Sequence, residues 1–225
     1  MQYLYYTLLG LVAYMMGNMS GARIVAKAKN SDITTAGSGN PGTLNVWRTY
    51  GFWPGIFTFV FDAVKGTIPT LVAYLTFGYL GCDPEIAVYV AGFSVILGHI
   101  FPVVYKFKGG KGIATSVGIF VVINWWVSLI AFAVMIVGML FIKYASIFTI
   151  GYVVAMSIVE ICVMNPAVWV NYIFVSAILF LVVWAHRGNV VRLLKGKENK
   201  TELLAMLKKM GKKKSAATQS SDQSK

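Results

Sequence analysis

Charged side chains are scarce in this chain, making up 12% of its 225 residues. An ordinary soluble domain carries roughly a quarter. That deficit argues against a cytosolic globule. Acidic residues are fewest, with eight Asp and Glu in total. None belongs to a DxxD or HExxH array, so metal-assisted phosphoryl chemistry lacks a ligand set, and neither metal nor cofactor is expected. The two cysteines, Cys82 and Cys162, form no CxxC pair or Cys/His cluster. Structural zinc and a disulfide framework are therefore not indicated. The GxxxxGK[ST] pattern is also missing, which removes support for nucleotide hydrolysis.

What the chain has is apolar surface. Hydrophobic residues reach 57% and the mean hydropathy is +0.69, too much for disorder. Crossing a bilayer as a helix takes about 20 mostly apolar residues. The segments 3–22, 85–105 and 167–185 qualify, and 52–80 and 144–163 qualify while carrying Asp62, Lys65 and Glu160. The first run is read as a retained span, since no basic region precedes it and no A-x-A site follows. Residues 113–142 form either one long helix or two around Asn124-Trp125-Trp126.

Charge bias chooses between these, because Lys and Arg gather in cytoplasmic connections. With two helices and the N-terminus outside, Lys27, Lys29, Arg48, Lys106, Lys108, Lys111, Lys143 and the tail all lie inside. One helix would strand Lys143 and the tail outside. The expected fold is an all-α integral membrane bundle of seven spans, with a cytoplasmic C-terminus and a bacterial inner-membrane location. Residues 1–200 form the membrane domain and 201–225 a basic tail. The net charge is +12, and the eleven basic and three acidic residues of 186–225 supply most of it. This distribution fits anionic lipid rather than nucleic acid. Leu203, Leu204, Leu207 and Met210 fall near one helical face, so 201–210 reads either as a short amphipathic helix on anionic lipid or as a solvated, frayed terminus, ahead of a disordered end.

The polar, glycine-rich stretches all fall on the expected cytoplasmic side. The first is Gly37-Ser38-Gly39-Asn40-Pro41-Gly42-Thr43-Leu44-Asn45, followed by Arg48. Tight turns there expose amides to an oxyanion, Ser38 and Asn40 add side-chain donors, and Arg48 adds a planar fork. The second, Lys108-Gly109-Gly110-Lys111-Gly112, opens into an apolar helix, whose N-terminus favours anions while Lys111 supplies charge. The third is His186-Arg187-Gly188-Asn189-Val190-Val191-Arg192, running on through Glu198. His186 stands at the membrane boundary as a candidate base near neutral pH or as a helix cap. Asp62 and Lys65, spaced i,i+3, pair on one helix face and position loops. His99 reads as structural, and Glu160 has no evident partner. No His-x4-Asp occurs, so the large CoA-type glycerolipid acyltransferase signature is absent.

Together these stretches resemble the bacterial PlsY family, membrane glycerol-3-phosphate acyltransferases that use acyl-phosphate donors. The resemblance runs from Gly17 to Lys200. It rests on GSGNPG…N…R at 37–48, DxxKG at 62–66, GHxxPxxxxFKGGKG at 98–112 and HxxN[IV]xRLLxGxExK at 186–200. It implies acyl transfer from acyl phosphate to the 1-hydroxyl of glycerol 3-phosphate, giving lysophosphatidic acid and phosphate. It assigns Ser38, Lys111 and His186 to catalysis. Gly37, Gly39, Asn40, Asn45, Arg48, Gly109, Gly110, Gly112, Ser146 and Asn189 bind substrate. No obligate protein partner is expected. The two rivals are an organophosphate transporter, disfavoured by the lack of a two-fold repeat, and an acyl-CoA-dependent transferase.

Overall fold

The structure, a computed structural model, describes residues 1–164 and 168–201. The Asn165-Pro166 turn and nearly all of the tail, including the amphipathic segment, lie outside the described residues. The described chain is helical and contains no strand. Its helices are α1 (Gln2–Gly17), α2 (Gly21–Ala28), α3 (Thr43–Tyr50), α4 (Phe52–Thr76), α5 (Pro84–Ile100), α6 (Ile113–Ile123), α7 (Trp125–Phe141), α8 (Ala145–Val163), α9 (Val170–Ala185) and α10 (Arg187–Leu194).

Helix α5 lies at the centre and packs on α1, α4, α6 and α9. Asp83 caps its start by accepting from the amides of Glu85 and Ile86, and Pro84 occupies the first turn, where a missing N–H costs nothing. Small residues let its neighbours approach. A Cβ on Gly98 would sit 2.1 Å from the Tyr14 carbonyl, and one on Gly17 would sit 2.3 Å from that of Val95. Backbone-to-backbone contact of this kind replaces the hydrophobic drive that lipid cannot supply. The outward faces are apolar, with Leu4, Leu8, Leu11, Val12 and Met15 exposed along α1 and Ile130, Val134 and Val137 along α7. In water such faces would aggregate; in hydrocarbon they are the solvent-facing surface.

Four helical units are long and apolar enough to cross a membrane: Gln2–Ala28, Phe52–Leu80, Pro84–Tyr105 and Ala145–Val163. The pair α9–α10, bent by 55°, makes a fifth when taken together. The segment 113–142 divides at Asn124, giving an 11-residue α6 about 17 Å long, short of the ~30 Å hydrocarbon thickness, and a 17-residue α7.

The first span departs from the expected 3–22. Helix α1 ends at Gly17 and a new helix starts at Gly21. Polar groups stabilise the break. The Asn18 amide donates to the Tyr14 carbonyl at 2.7 Å and accepts from the Val104 amide at 3.3 Å. Ser20 caps α2. The Asp62–Lys65 pair, 2.8 Å apart, completes it from α4. Lys65 donates to the Met19 carbonyl, and Asp62 accepts from the Gly21 amide at 3.3 Å. The pair thus satisfies backbone groups that the broken helix leaves open.

Candidate active site

At the end of the bundle where α3, α8 and α10 begin or end, polar side chains from distant segments meet. Lys111, just ahead of α6, donates from Nζ to Asn189 Oδ1 at 2.5 Å. Asn189 Nδ2 donates to Glu198 Oε1 at 2.6 Å, and Ser146 Oγ, in the first turn of α8, donates to the same oxygen at 3.1 Å. Arg192 Nε reaches Glu198 Oε2 at 3.0 Å. Arg48, in the last turn of α3, donates to the Thr201 hydroxyl, and the Thr201 amide bonds to the Lys143 carbonyl at 2.5 Å. Ser146, Asn189, Glu198 and Thr201 are all buried.

The bend between α9 and α10 makes this convergence possible. It falls at His186, whose Nδ1 lies 2.8 Å from the Val182 carbonyl. A carbonyl only accepts, so this contact assigns the proton to Nδ1 and leaves the Nε2 lone pair free. Burial, reinforced by nearby Lys111, pushes the imidazole down to about 4, so it is neutral at pH 7. Burial also pushes the Lys111 ammonium down to about 8, with Arg192 and Arg48 contributing and Glu198 opposing. Three cations, Lys111, Arg48 and Arg192, thus surround one carboxylate, Glu198. Among these groups positive charge exceeds negative.

The glycine loop is shaped by Asn45. Its Oδ1 accepts from the Ser38 amide at 2.9 Å, while Nδ2 donates to the Ala36 and Ile33 carbonyls at 2.9 and 3.3 Å. Both ends of this amide are spent, which makes Asn45 the clamp of the loop. Gly37 and Gly39 take left-handed φ values of 57° and 69°, conformations that cost a side chain energy. A Cβ on Gly37 would also strike Asn45 Oδ1 at 2.2 Å. Among the described residues, the amides of Gly37 and Asn40 and the hydroxyl of exposed Ser38 make no hydrogen bond.

Gly109 and Gly110 are not the open donors that the pattern suggests. Their amides bond to the Ile100 and His99 carbonyls, each at 3.1 Å. The physical reason is crowding, since a Cβ on Gly110 would meet His99 Nε2 at 2.4 Å. Buried His99 is the floor on which this segment folds back. The amides of Lys111 and Gly112 have no partner among the described residues. Gly112, at φ 84°, turns the chain into α6.

Glu198 and Thr201 carry no assignment in the sequence reading, yet both bond directly to the site. The available signal was Glu198's position as the only acidic residue between 186 and 200. Glu160 gains a partner, as the Tyr89 hydroxyl donates to its Oε2 at 3.2 Å.

A buried anion cradle at one end of a bundle with apolar outer faces defines a membrane protein acting on phosphorylated substrates. Residues 7–196 match the family model described as glycerol-3-phosphate acyltransferase. A protein of that name from Clostridioides difficile (strain 630) is 38% identical over 196 residues, covering 87% of this chain and 95% of that one. One from Aquifex aeolicus (strain VF5) is 34% identical, covering 84% and 96%. The crystal structure of PlsY (YgiH), an integral membrane glycerol 3-phosphate acyltransferase in its glycerol 3-phosphate form, superposes with TM-score 0.81 at 32% identity. It covers 90% of this chain and 98% of its own; the lysophosphatidic acid form gives 0.79. The chain belongs to the glycerol-3-phosphate acyltransferase family.

Proposed function

We propose that this protein transfers a fatty acyl group from acyl phosphate to the 1-hydroxyl of glycerol 3-phosphate, releasing lysophosphatidic acid and inorganic phosphate. The observation that supports this reading is that Lys111, Arg48, Ser146 and Asn189, from four separate segments, meet at one end of the bundle around Glu198 and Thr201. Two phosphate-bearing reactants repel one another, and a surplus of fixed cations in a partly dry site offsets that repulsion.

The hydroxyl oxygen attacks the acyl carbonyl carbon, the bond from that carbon to the oxygen bridging it to phosphorus breaks, and phosphate departs with the electron pair. Lys111 and the free amides of the glycine loop stabilise the oxyanion formed on the way. Ser38 positions substrate; no base is bonded to its hydroxyl, so it lacks an activated nucleophile's geometry. The hydroxyl proton goes either to His186 Nε2 or to the leaving phosphate. An imidazole held at about 4 is a weak acceptor, which favours phosphate. A pH–rate profile of His186→Gln against the parent tests this. Near-normal turnover with an unchanged acidic limb excludes the histidine as base, whereas loss of the limb assigns it that role.

The same reading includes seven spans, the N-terminus outside, and the cradle and C-terminus facing the cytoplasm of a bacterial inner membrane, with anionic lipids beneath the basic tail. Charge bias between the loops supports it. Thiol labelling in intact cells of single cysteines at Ser38 and Tyr79 should protect the first and modify the second. The donor is tested by supplying purified protein with acyl phosphate and acyl-CoA separately. Lysophosphatidic acid should form only with acyl phosphate, and formation from acyl-CoA alone overturns the assignment.

A further inference from the structure

Helix α10 has two faces with different surroundings. Its inner face belongs to the polar centre, where Asn189 accepts from Lys111 and Arg192 pairs with Glu198. The opposite face is turned away from the protein. Arg187, Val191, Leu194 and Lys195 follow one another at i,i+3 and i,i+4 spacing and are all exposed, so they form one stripe.

The stripe mixes cations with apolar side chains. Leu194 is 84% exposed, too open for a side chain packed on protein. The Arg187 guanidinium lies 4.9 Å over the ring of Trp184 at the end of α9, and the Trp184 ring stacks on Phe180 at 6.1 Å. Phe180 and Trp184 are both exposed on the apolar outside of the bundle. The surface stripe of α10 thus continues the lipid-facing side of α9. Apolar residues running past a tryptophan into cations describe a helix that leaves the hydrocarbon and lies in the headgroup layer.

The charge on this stripe is open to an anion. Arg187 spends one donor, Nη1, on the Trp184 carbonyl at 3.0 Å, which leaves the other guanidinium N–H groups. Arg187, Lys195 and Lys197 form no ion pair among the described residues. Glu198, the only acidic residue between 186 and 200, is buried on the inner side and bonded to Ser146, Asn189 and Arg192. Among the helices, α9 is the one that packs on α10 beyond incidental contact. The 55° bend between them, which carries Asn189 to Lys111, is therefore held from inside by polar bonds and lacks a helix behind it.

We infer that the surface stripe of α10 docks on anionic phospholipid of the surrounding leaflet. Arg187 and Lys195 take the headgroup phosphate, while Val191 and Leu194 enter the acyl region. This support from behind raises turnover by holding Asn189 against Lys111. The inference rests on the acyltransferase and orientation readings above and goes beyond the contact proposed for the tail.

The full-length protein is placed in nanodiscs of phosphatidylcholine alone or mixed with phosphatidylglycerol. Quenching of Trp184 by bromine-labelled acyl chains, taken as the difference from Trp184→Phe in each background, reports contact without turnover. In mixed discs of one composition, labelled phosphatidylglycerol should quench Trp184 more than labelled phosphatidylcholine does. Arg187→Gln/Lys195→Gln should abolish that excess. kcat/KM for glycerol 3-phosphate should be at least about fivefold higher in mixed discs, the lower end of ordinary coupling between sites. The double variant should lose this gain and match the parent in phosphatidylcholine. Its intact tail and identical discs hold constant the tail's charge and the partitioning of the acyl donor. Equal quenching by the two lipids in the parent overturns the docking. A gain retained by the double variant overturns the coupling, as does the absence of any gain in the parent. Arg187 stacks on Trp184, so a thermal melt accompanies the variant; if it unfolds, Lys195→Gln/Lys197→Gln, at exposed positions past the helix, decides. Failure of the donor reading shows separately, as parent turnover with acyl-CoA but not acyl phosphate in every disc, and leaves the quenching result to judge the docking.

Discussion

Two lysines, Lys65 buried and Lys111 half-buried, sit in different surroundings within the same molecule. Lys65, within α4, is 4% exposed and faces the carboxylate of Asp62 at 2.8 Å and the Met19 carbonyl. Its charge is neutralised where it stands. Among the described residues, Lys111 bonds to the amide oxygen of Asn189, a neutral partner that orients the ammonium without cancelling it. The nearest carboxylate network, through Glu198, is shared with two arginines. A paired buried cation is scaffolding; an oriented but unneutralised one is available to substrate. Distinguishing them needs the partner's charge, which burial alone does not reveal.

Asp62→Asn should break this comparison most severely, leaving Lys65 buried without a counter-charge. A loss of about 3–5 kcal/mol is expected, read by thermal or denaturant unfolding in detergent. Adding Lys65→Met to it should recover part of that loss. If instead Asp62→Asn abolished turnover in a fully stable protein, the pair would belong to the active site. Lys111→Met should do the reverse, lowering kcat/KM about 10²–10³-fold, as removal of one oxyanion-stabilising donor does, with the melting temperature nearly unchanged.

The pH response sharpens the contrast. Lys111 is held at about 8, below the ordinary lysine value, and in the function proposed above it must be protonated to bind phosphate. kcat/KM for glycerol 3-phosphate should therefore be level between the acidic limb and that pH and fall about tenfold per unit above it. Lys111→Arg should move the fall beyond the assay range, because a guanidinium keeps its charge. The smallest effect belongs to Arg192→Gln. Its ion pair with Glu198 is 40% exposed on the arginine side, so less than about 1 kcal/mol of stability should be lost, and less still at high salt.

Much of this was legible in residue patterns. The division at Asn124 follows from loop charge bias, and the Asp62–Lys65 pairing follows from i,i+3 spacing. Legible too is the gathering of Lys111 and Asn189, which the motifs mark as polar islands between apolar runs. The rest depended on three-dimensional closure. The break at Asn18–Ser20 is stabilised by α4 and by residue 104, far away in sequence, so local pattern showed only one apolar run. Asn45 looked like a ligand contact because its sequence neighbours are turn formers; the partners its side chain has here are the Ser38 amide and the Ala36 and Ile33 carbonyls of its own loop. Gly109 and Gly110 resembled an open phosphate loop, but the residue packed against them, His99, determines that they are glycine. Glu198 was hidden for the opposite reason: it lies in a basic stretch that reads as solvated tail until Ser146 and Asn189 are seen to meet it.

The closing contacts from Glu198 to Ser146 and from Thr201 to Arg48 and Lys143 tie the last described residues to helices made much earlier. A nascent polypeptide released from the ribosome after α8 would already own its central membrane helices, yet it would lack Asn189, Arg192 and the carboxylate that assembles them. Such a fragment should be inserted and inert, so competence arrives only as synthesis nears residue 201. Until then the half-made enzyme cannot consume a reactive acyl donor.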